Sequence, residues 1–174
     1  MPLKLNLGDP LPSIGLRASD GYLLNLRSFV TKQPVLLLFF GAPTMTGAAR
    51  RRGSKAIEAL KEDFDRLREA GIAVAAISTD SEQQQRAYVE KLELPFLLLS
   101  DERRSAVVEL GVETVADGAN VNVAKPVALA VDREGTVRAV IDPVEPEGLA
   151  DRAIRSLSEP LPSPAPAGDA PATT

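Results

Sequence analysis

"VLLLFFGAPTMTGAARRRGSKAIEALKEDFDRLREAGIAVAAI" runs from Val35 to Ile77, and its two ends decide the fold. Val35 to Phe40 and Ile72 to Ile77 are continuous apolar runs, the pattern of strands covered on both faces. Between them Ile57, Leu60, Phe64 and Leu67 recur at spacings of three and four, which predicts one apolar helix face. Gly71 stands at the C-cap position that stops the helix. Strand, helix and strand in this order form a right-handed βαβ unit with parallel strands. The chain is therefore expected to be α/β.

Outward from this unit the punctuation is clear. Ser81 and Gln84 have capping-box spacing, and Tyr88, Val89 and Leu92 give the helix they open an apolar face. Phe96 to Leu99 reads as a short strand. Ser100 or Asp101 then caps a helix carrying Ala106, Val107 and Leu110, which ends at Gly111. Thr114 to Lys125 reads as a loop. "PVALAVDREGTVRAVID", from Pro126, predicts two strands joined by a tight turn at Asp132 to Gly135, and Gly148 to Leu157 a closing helix. Upstream, Asp20-Gly21 between short apolar stretches reads as a hairpin or extended arm. Residues 1–158 are expected to form one domain. In 159–174, five of sixteen residues are proline and most others are small, the composition of a disordered tail.

Composition excludes whole classes of chemistry. The 174 residues include no cysteine and no histidine. There is thus no disulfide, no thiolate nucleophile, and neither the commonest general base nor the commonest transition-metal ligand. A net charge of -4 and a pI of about 5.0 argue against a general nucleic-acid binder. No apolar run reaches the length of about 18 residues that spans a membrane, and Met1 to Gly8 lacks the features of a signal peptide, so a cytoplasmic location is expected. No nucleic-acid or membrane partner is called for.

The order of elements, and three stretches of wording, resemble a known family. "LNLGDPLPSIGLRASDGYLLNLRSF" (Leu5 to Phe29), "GIAVAAISTDSEQQQRAYVEKLELPFLLLSDERRSAVVELGV" (Gly71 to Val112) and "PVALAVDREGTVRAV" (Pro126 to Val140) are similar to the opening, central and closing segments of the AhpC/TSA (redoxin, peroxiredoxin-like) family. The resemblance covers about Leu5 to Leu157. It implies a thioredoxin-like fold of the peroxiredoxin type: a central mixed sheet with a βαβ unit, a C-terminal β-hairpin plus helix, and helices on both faces. It also implies a cis-proline just before the hairpin, which falls on Pro126.

The resemblance implies an oxidoreductase activity, antioxidant reduction of peroxides by a cysteine in the first turn of the first long helix. There, free N–H groups and the helix dipole stabilise a thiolate. In this family's signature a proline precedes a threonine or serine, and the cysteine follows three residues after that hydroxyl. Pro43 and Thr46 match the first two with one residue missing between them, which places Ala49 at the cysteine. A second cysteine five residues on would fall at Ser54. Counting back from Gly71 instead places the key position near Gly53; in either register there is no thiol. Where the family often carries an arginine just before the hairpin, Lys125 stands, which supplies charge without the planar fork that orients a peroxide. Thr46 also suits a plain helix N-cap.

These positions read as a vestigial active site in a cysteine-less pseudoenzyme. The shortened signature, Lys125 and the arginine run favour natural degeneration, while Ala49 also fits replacement of a cysteine. The alternative is a non-catalytic binding or interaction module on the same scaffold, holding an anion or a protein partner around the Arg50–Arg52 patch. Arg50, Arg51 and Arg52 are its anion-binding candidates, since positive side chains and free helix amides would coincide there unless the helix begins later, near Ser54. A homodimer is implied by resemblance only, and neither reading calls for a cofactor. Asp80 and Asp101 follow successive strands but suit helix or turn caps better than a magnesium site.

Overall fold

Strand β3 (Val35–Phe39) is fully buried along its length and lies at the middle of a seven-stranded mixed sheet. The computed structural model describes residues 3–41, 48–117 and 120–159, and for 48–52, 115–117 and 120–123 the backbone alone. Its main sheet has the order β2-β1-β5-β4-β3-β8-β9. β4 (Ala73–Ser78) and β5 (Leu97–Ser100) continue parallel to β3 on one side, and β8 (Val127–Val131) pairs antiparallel on the other. β9 (Val137–Ile141) forms one edge; β1 (Gly15–Ala18) and β2 (Leu23–Asn25) form the other.

Successive side chains of a strand point to opposite faces, so β3 feeds two cores at once. Val35, Leu37 and Phe39 join the core beneath α1 (Leu26–Val30) and α5 (Ser105–Leu110). Leu36 and Leu38, with Phe40, join the core beneath α2 (Ala48–Glu62), α3 (Phe64–Glu69) and α6 (Leu149–Ser158). Helix α4 (Glu82–Leu92) rests Tyr88, Val89 and Leu92 against that second core. A β3 without apolar residues at both phases would leave one helix layer without a floor.

Several expectations hold in detail. Gly71 takes φ +78°, its N–H donates to the Arg68 carbonyl and that of Ile72 to the Leu67 carbonyl, each at 2.9 Å, completing a Schellman cap. The capping box is closed: Gln84 N–H donates to Ser81 Oγ at 3.2 Å, and Ser81 N–H to Gln84 Oε1 at 2.9 Å. The β1–β2 and β8–β9 hairpins form at Asp20-Gly21 and Asp132 to Gly135, and the closing helix forms as α6. Asp101 caps α5 with both oxygens, accepting from Ala106 N–H and Val107 N–H at 3.1 and 2.8 Å.

Other expectations are corrected. The predicted single helix is divided at Asp63 into α2 and α3, and Phe64 packs on Phe96 with ring centroids 6.3 Å apart. α2 begins at Ala48, ahead of Ser54. The stretch 114–125 is largely a hairpin of β6 (Thr114–Asp117) and β7 (Asn120–Ala124), a separate two-stranded sheet with Val115 opposite Val123. Cross-strand backbone pairing, invisible in an apolar count, orders it. The Lys125–Pro126 bond is trans. Lys125 N–H donates to the Glu113 carbonyl at 2.9 Å and the chain runs on into β8, so Pro126 enters a strand at its first step, where its missing N–H costs no ladder bond. The cis X-Pro bond among the described residues is Asp142–Pro143. The stretch expected to be a hairpin or extended arm continues into helix α1, capped by Asn25 Oδ1 accepting from Arg27 N–H and Ser28 N–H. Residues 160–174, where the tail was expected, lie outside the described residues. No helix among the described residues is long and apolar enough to cross a membrane.

Two substitutions measure these forces by urea unfolding. Leu38→Ala empties a fully buried site and is expected to cost about 2–5 kcal/mol. Gly71→Ala meets no atom within 4 Å but forces a side chain into the left-handed region, and is expected to cost about 1 kcal/mol.

Candidate functional site

The carboxyl end of β3 fixes the candidate site. Phe40 N–H donates to the Ile77 carbonyl at 3.0 Å, which ties the exit of β3 to the parallel strand beside it. The Phe40 ring is buried and stacks on Tyr88 of α4 at 6.2 Å, with an interplanar angle of 21°. Because Phe39 pairs with Val127, Pro126 enters β8 beside Phe40; it too is buried.

Helix α2 returns to the same place. Ala49 is its second residue, Arg50 to Arg52 the third to fifth, and Gly53 the sixth. A Cβ on Gly53 would lie 3.2 Å from Gly41 N and 3.3 Å from Phe40 Cβ, so a helix and a strand end meet there closely enough that any side chain would require its neighbours to shift. Ala49 precedes Gly53 by four residues and Ile57 by eight, in one row of the helix, and Gly53 and Ile57 are buried. Ser54 is half-buried and Lys55 exposed; as sequence neighbours on a helix they do not face each other. Pro43 and Thr46 lie outside the described residues.

One charge at the margin of the site is already paired. Lys125 is exposed and its Nζ is 2.9 Å from Glu113 Oε1, a pair on the surface. The hydrogen bond and positive charge of Lys125 hold the Glu113 carboxyl below its ordinary value. The pair is therefore complete above the carboxylate range and is lost as pH falls through that lowered value. Lys125 spends its cation on a neighbour instead of standing free beside Pro126. No acidic residue occupies the first turn of α2, where carboxylates would complement the dipole.

The two aspartates considered as a metal pair have separate tasks. Asp101 is the cap of α5 described above. Asp80 is 6% exposed and accepts from Ser78 Oγ at 2.7 Å; burial pushes its carboxyl up, partly offset by that hydrogen bond. Among the described residues no group of three or more histidines, cysteines, aspartates or glutamates stands close enough to hold a metal ion.

The structure thus brings Ala49, Gly53 and Pro126 to one end of the sheet, leaves Lys125 paired at its margin, and adds Tyr88. The sequence places Tyr88 on an apolar helix face but carries no sign of its stacking on Phe40. The signal was present only as an aromatic on the first helix after β4.

Comparison with known proteins agrees with this geometry. Residues 7–140 match the model of the AhpC/TSA family. The chain is 34% identical over 109 residues to the chloroplastic peroxiredoxin Q of Populus jackii, covering 63% of this chain and only about half, 48%, of that protein's length. It is 29% identical over 160 residues to the peroxiredoxin Bcp of Escherichia coli K12, covering 91% and 97% of the two chains. The crystal structure of peroxidoxin BcpB from Mycobacterium tuberculosis superposes with a TM-score of 0.73 at 23% identity, over 87% of this chain and 96% of that one, so the thioredoxin-like peroxiredoxin fold is shared.

Gly53→Val tests the close approach. Overpacking against the Phe40–Gly41 backbone is expected to lower stability by about 1–3 kcal/mol in urea unfolding, despite the better helix propensity of valine.

Proposed function

Because the chain belongs to the AhpC/TSA family, we propose that it is a non-catalytic member, a peroxidase scaffold whose nucleophile position is vacant. One observation supports this above the others: the 174 residues contain no cysteine, while the fold of the family is present. Thiol chemistry is therefore closed to it. Of the two registers, Ala49 fits the vacancy better than Gly53. Ala49 is in the first turn of α2, where the N–H groups of a helix lack intrahelical partners and suit a thiolate, whereas Gly53 is in the second turn, where a Cβ would be tightly packed. A cytoplasmic location and a homodimer are the setting proposed for it.

A peroxide-consumption assay with an added thiol reductant tests this. The unmodified chain is expected to show no turnover, and robust turnover would overturn the proposal. Ala49→Cys is expected to gain peroxide-dependent thiol oxidation and Gly53→Cys not to; the reverse pattern would move the vacancy to Gly53.

A second reading, favoured by the position of the arginine run, is a binding module for an anion. Arg50 to Arg52 fall at the third to fifth residues of α2, where cations oppose the helix dipole by about 0.3–1 kcal/mol each. A bound anion would relieve that cost and meet the free amides. Failure of Ala49→Cys to react at all would favour this reading. So would a rise in Tm with inorganic phosphate that is abolished when all three arginines become glutamine; at 100 times Kd the expected stabilisation is about 2.7 kcal/mol.

A further inference from the structure

The C-terminal ends of β4 and β5 enclose a polar cluster that the vacated site does not use. Ser78, Asp80, Gln85, Ser100 and Asp101 are all buried, with Gln85 at 1% exposure. Gln85 Nε2 donates to the Leu99 carbonyl at 2.8 Å and to Ser78 Oγ at 2.9 Å, and Ser78 Oγ donates to Asp80 Oδ2 at 2.7 Å. Ser100 Oγ donates to the Asp80 carbonyl at 2.6 Å. This chain of bonds runs from β5 through helix α4 to a carboxyl at the foot of that helix. Gln85 Oε1 is buried without a partner.

The groups around Asp80 supply little to hold a charge. From α4 come Glu82, ion-paired with Arg86 at 3.1 Å, and the amide of Gln85. From the β5–α5 connection come Asp101, occupied by α5, and Glu102 and Arg103, both exposed. From β1, Arg17 pairs in register with Ser100 but donates to the Gly21 carbonyl. Among the described residues no cation is ion-paired with Asp80 and Ser78 is its one side-chain donor. A buried carboxylate with one donor favours either a proton or entry of water.

Helix α4 links this cluster to the vacated site. Gln85 and Tyr88 are three residues apart, on one face of the helix: Gln85 ties it to β4 and β5, and Tyr88 stacks on Phe40. We propose that Asp80 is a proton-operated latch on α4, which with its carboxyl protonated seats the helix on the sheet and Tyr88 over Phe40, and which loosens when the carboxyl ionises and draws in water. The sign follows from burial. The seated form holds the Asp80 proton to higher pH than an open, hydrated form does, so seating is favoured at low pH and weakens as pH rises through the raised value. The proposal concerns access to the end of β3 and stands whether that end is an emptied catalytic centre or an anion site.

The chain allows a clean readout, because it has no tryptophan and two tyrosines, of which Tyr22 is 75% exposed. In Tyr22→Phe, Tyr88 is the sole emitter. Its fluorescence, followed from pH 3 to 8 while far-UV circular dichroism confirms the fold, is expected to change with a midpoint above the free-aspartate range. That transition is expected to vanish in Asp80→Asn, which keeps the acceptor for Ser78 but cannot ionise. Ser78→Ala, which removes the donor to the carboxylate, is expected to move the midpoint to higher pH. A flat profile, a transition that persists in Asp80→Asn, or a midpoint unmoved or lowered by Ser78→Ala would overturn the latch.

Discussion

Burial of β3 on both faces is the constraint on which the rest of the molecule depends. Its residues are fully buried, laddered to β4 on one side and β8 on the other. Alternation sends every second side chain to the opposite helix layer, so one five-residue strand anchors two cores. The end of that strand is consequently a rigid point, and whatever lies beyond it is presented at a fixed place against the sheet.

Helix α2 reaches that point at Gly53, where contact with Gly41 and Phe40 sets how near the helix start can come. That meeting point is held by apolar burial, a close backbone approach and ladder bonds, none of which calls for a thiol. What builds the scaffold at this end of the sheet is thus separate from what would react there. Lys125 at this end is paired with Glu113, and Arg50 to Arg52 stand in the opening turns of α2, where the dipole disfavours cations.

Legibility in the sequence followed how local the cause was. The Gly71 stop, the Ser81 capping box and both predicted hairpins rest on local interactions, and the two strands of the βαβ unit are marked by their own apolar runs; each appeared where patterning placed it. The β6–β7 hairpin did not, because neither strand is an unbroken apolar run and its order comes from backbone pairing across the turn. The Pro126 isomer followed the extended path from β7 into β8, set by a bond to Glu113 twelve residues away. At the site, the missing thiol was plain from composition. The register was not, since it depends on where α2 begins and how closely it approaches β3.

By itself, then, the sequence determined the α/β class, the family likeness and the absence of thiol and imidazole chemistry, because periodicity, local caps and residue identity are properties of the chain. Only the tertiary structure decided that Ala49 lies in the first turn of α2 while Gly53 packs tightly against the end of β3, that Tyr88 stacks on Phe40, and that Asp80 is a buried carboxyl with one side-chain donor. Those facts arise where distant segments meet, and close approach, stacking and desolvation exist only once both partners are in place.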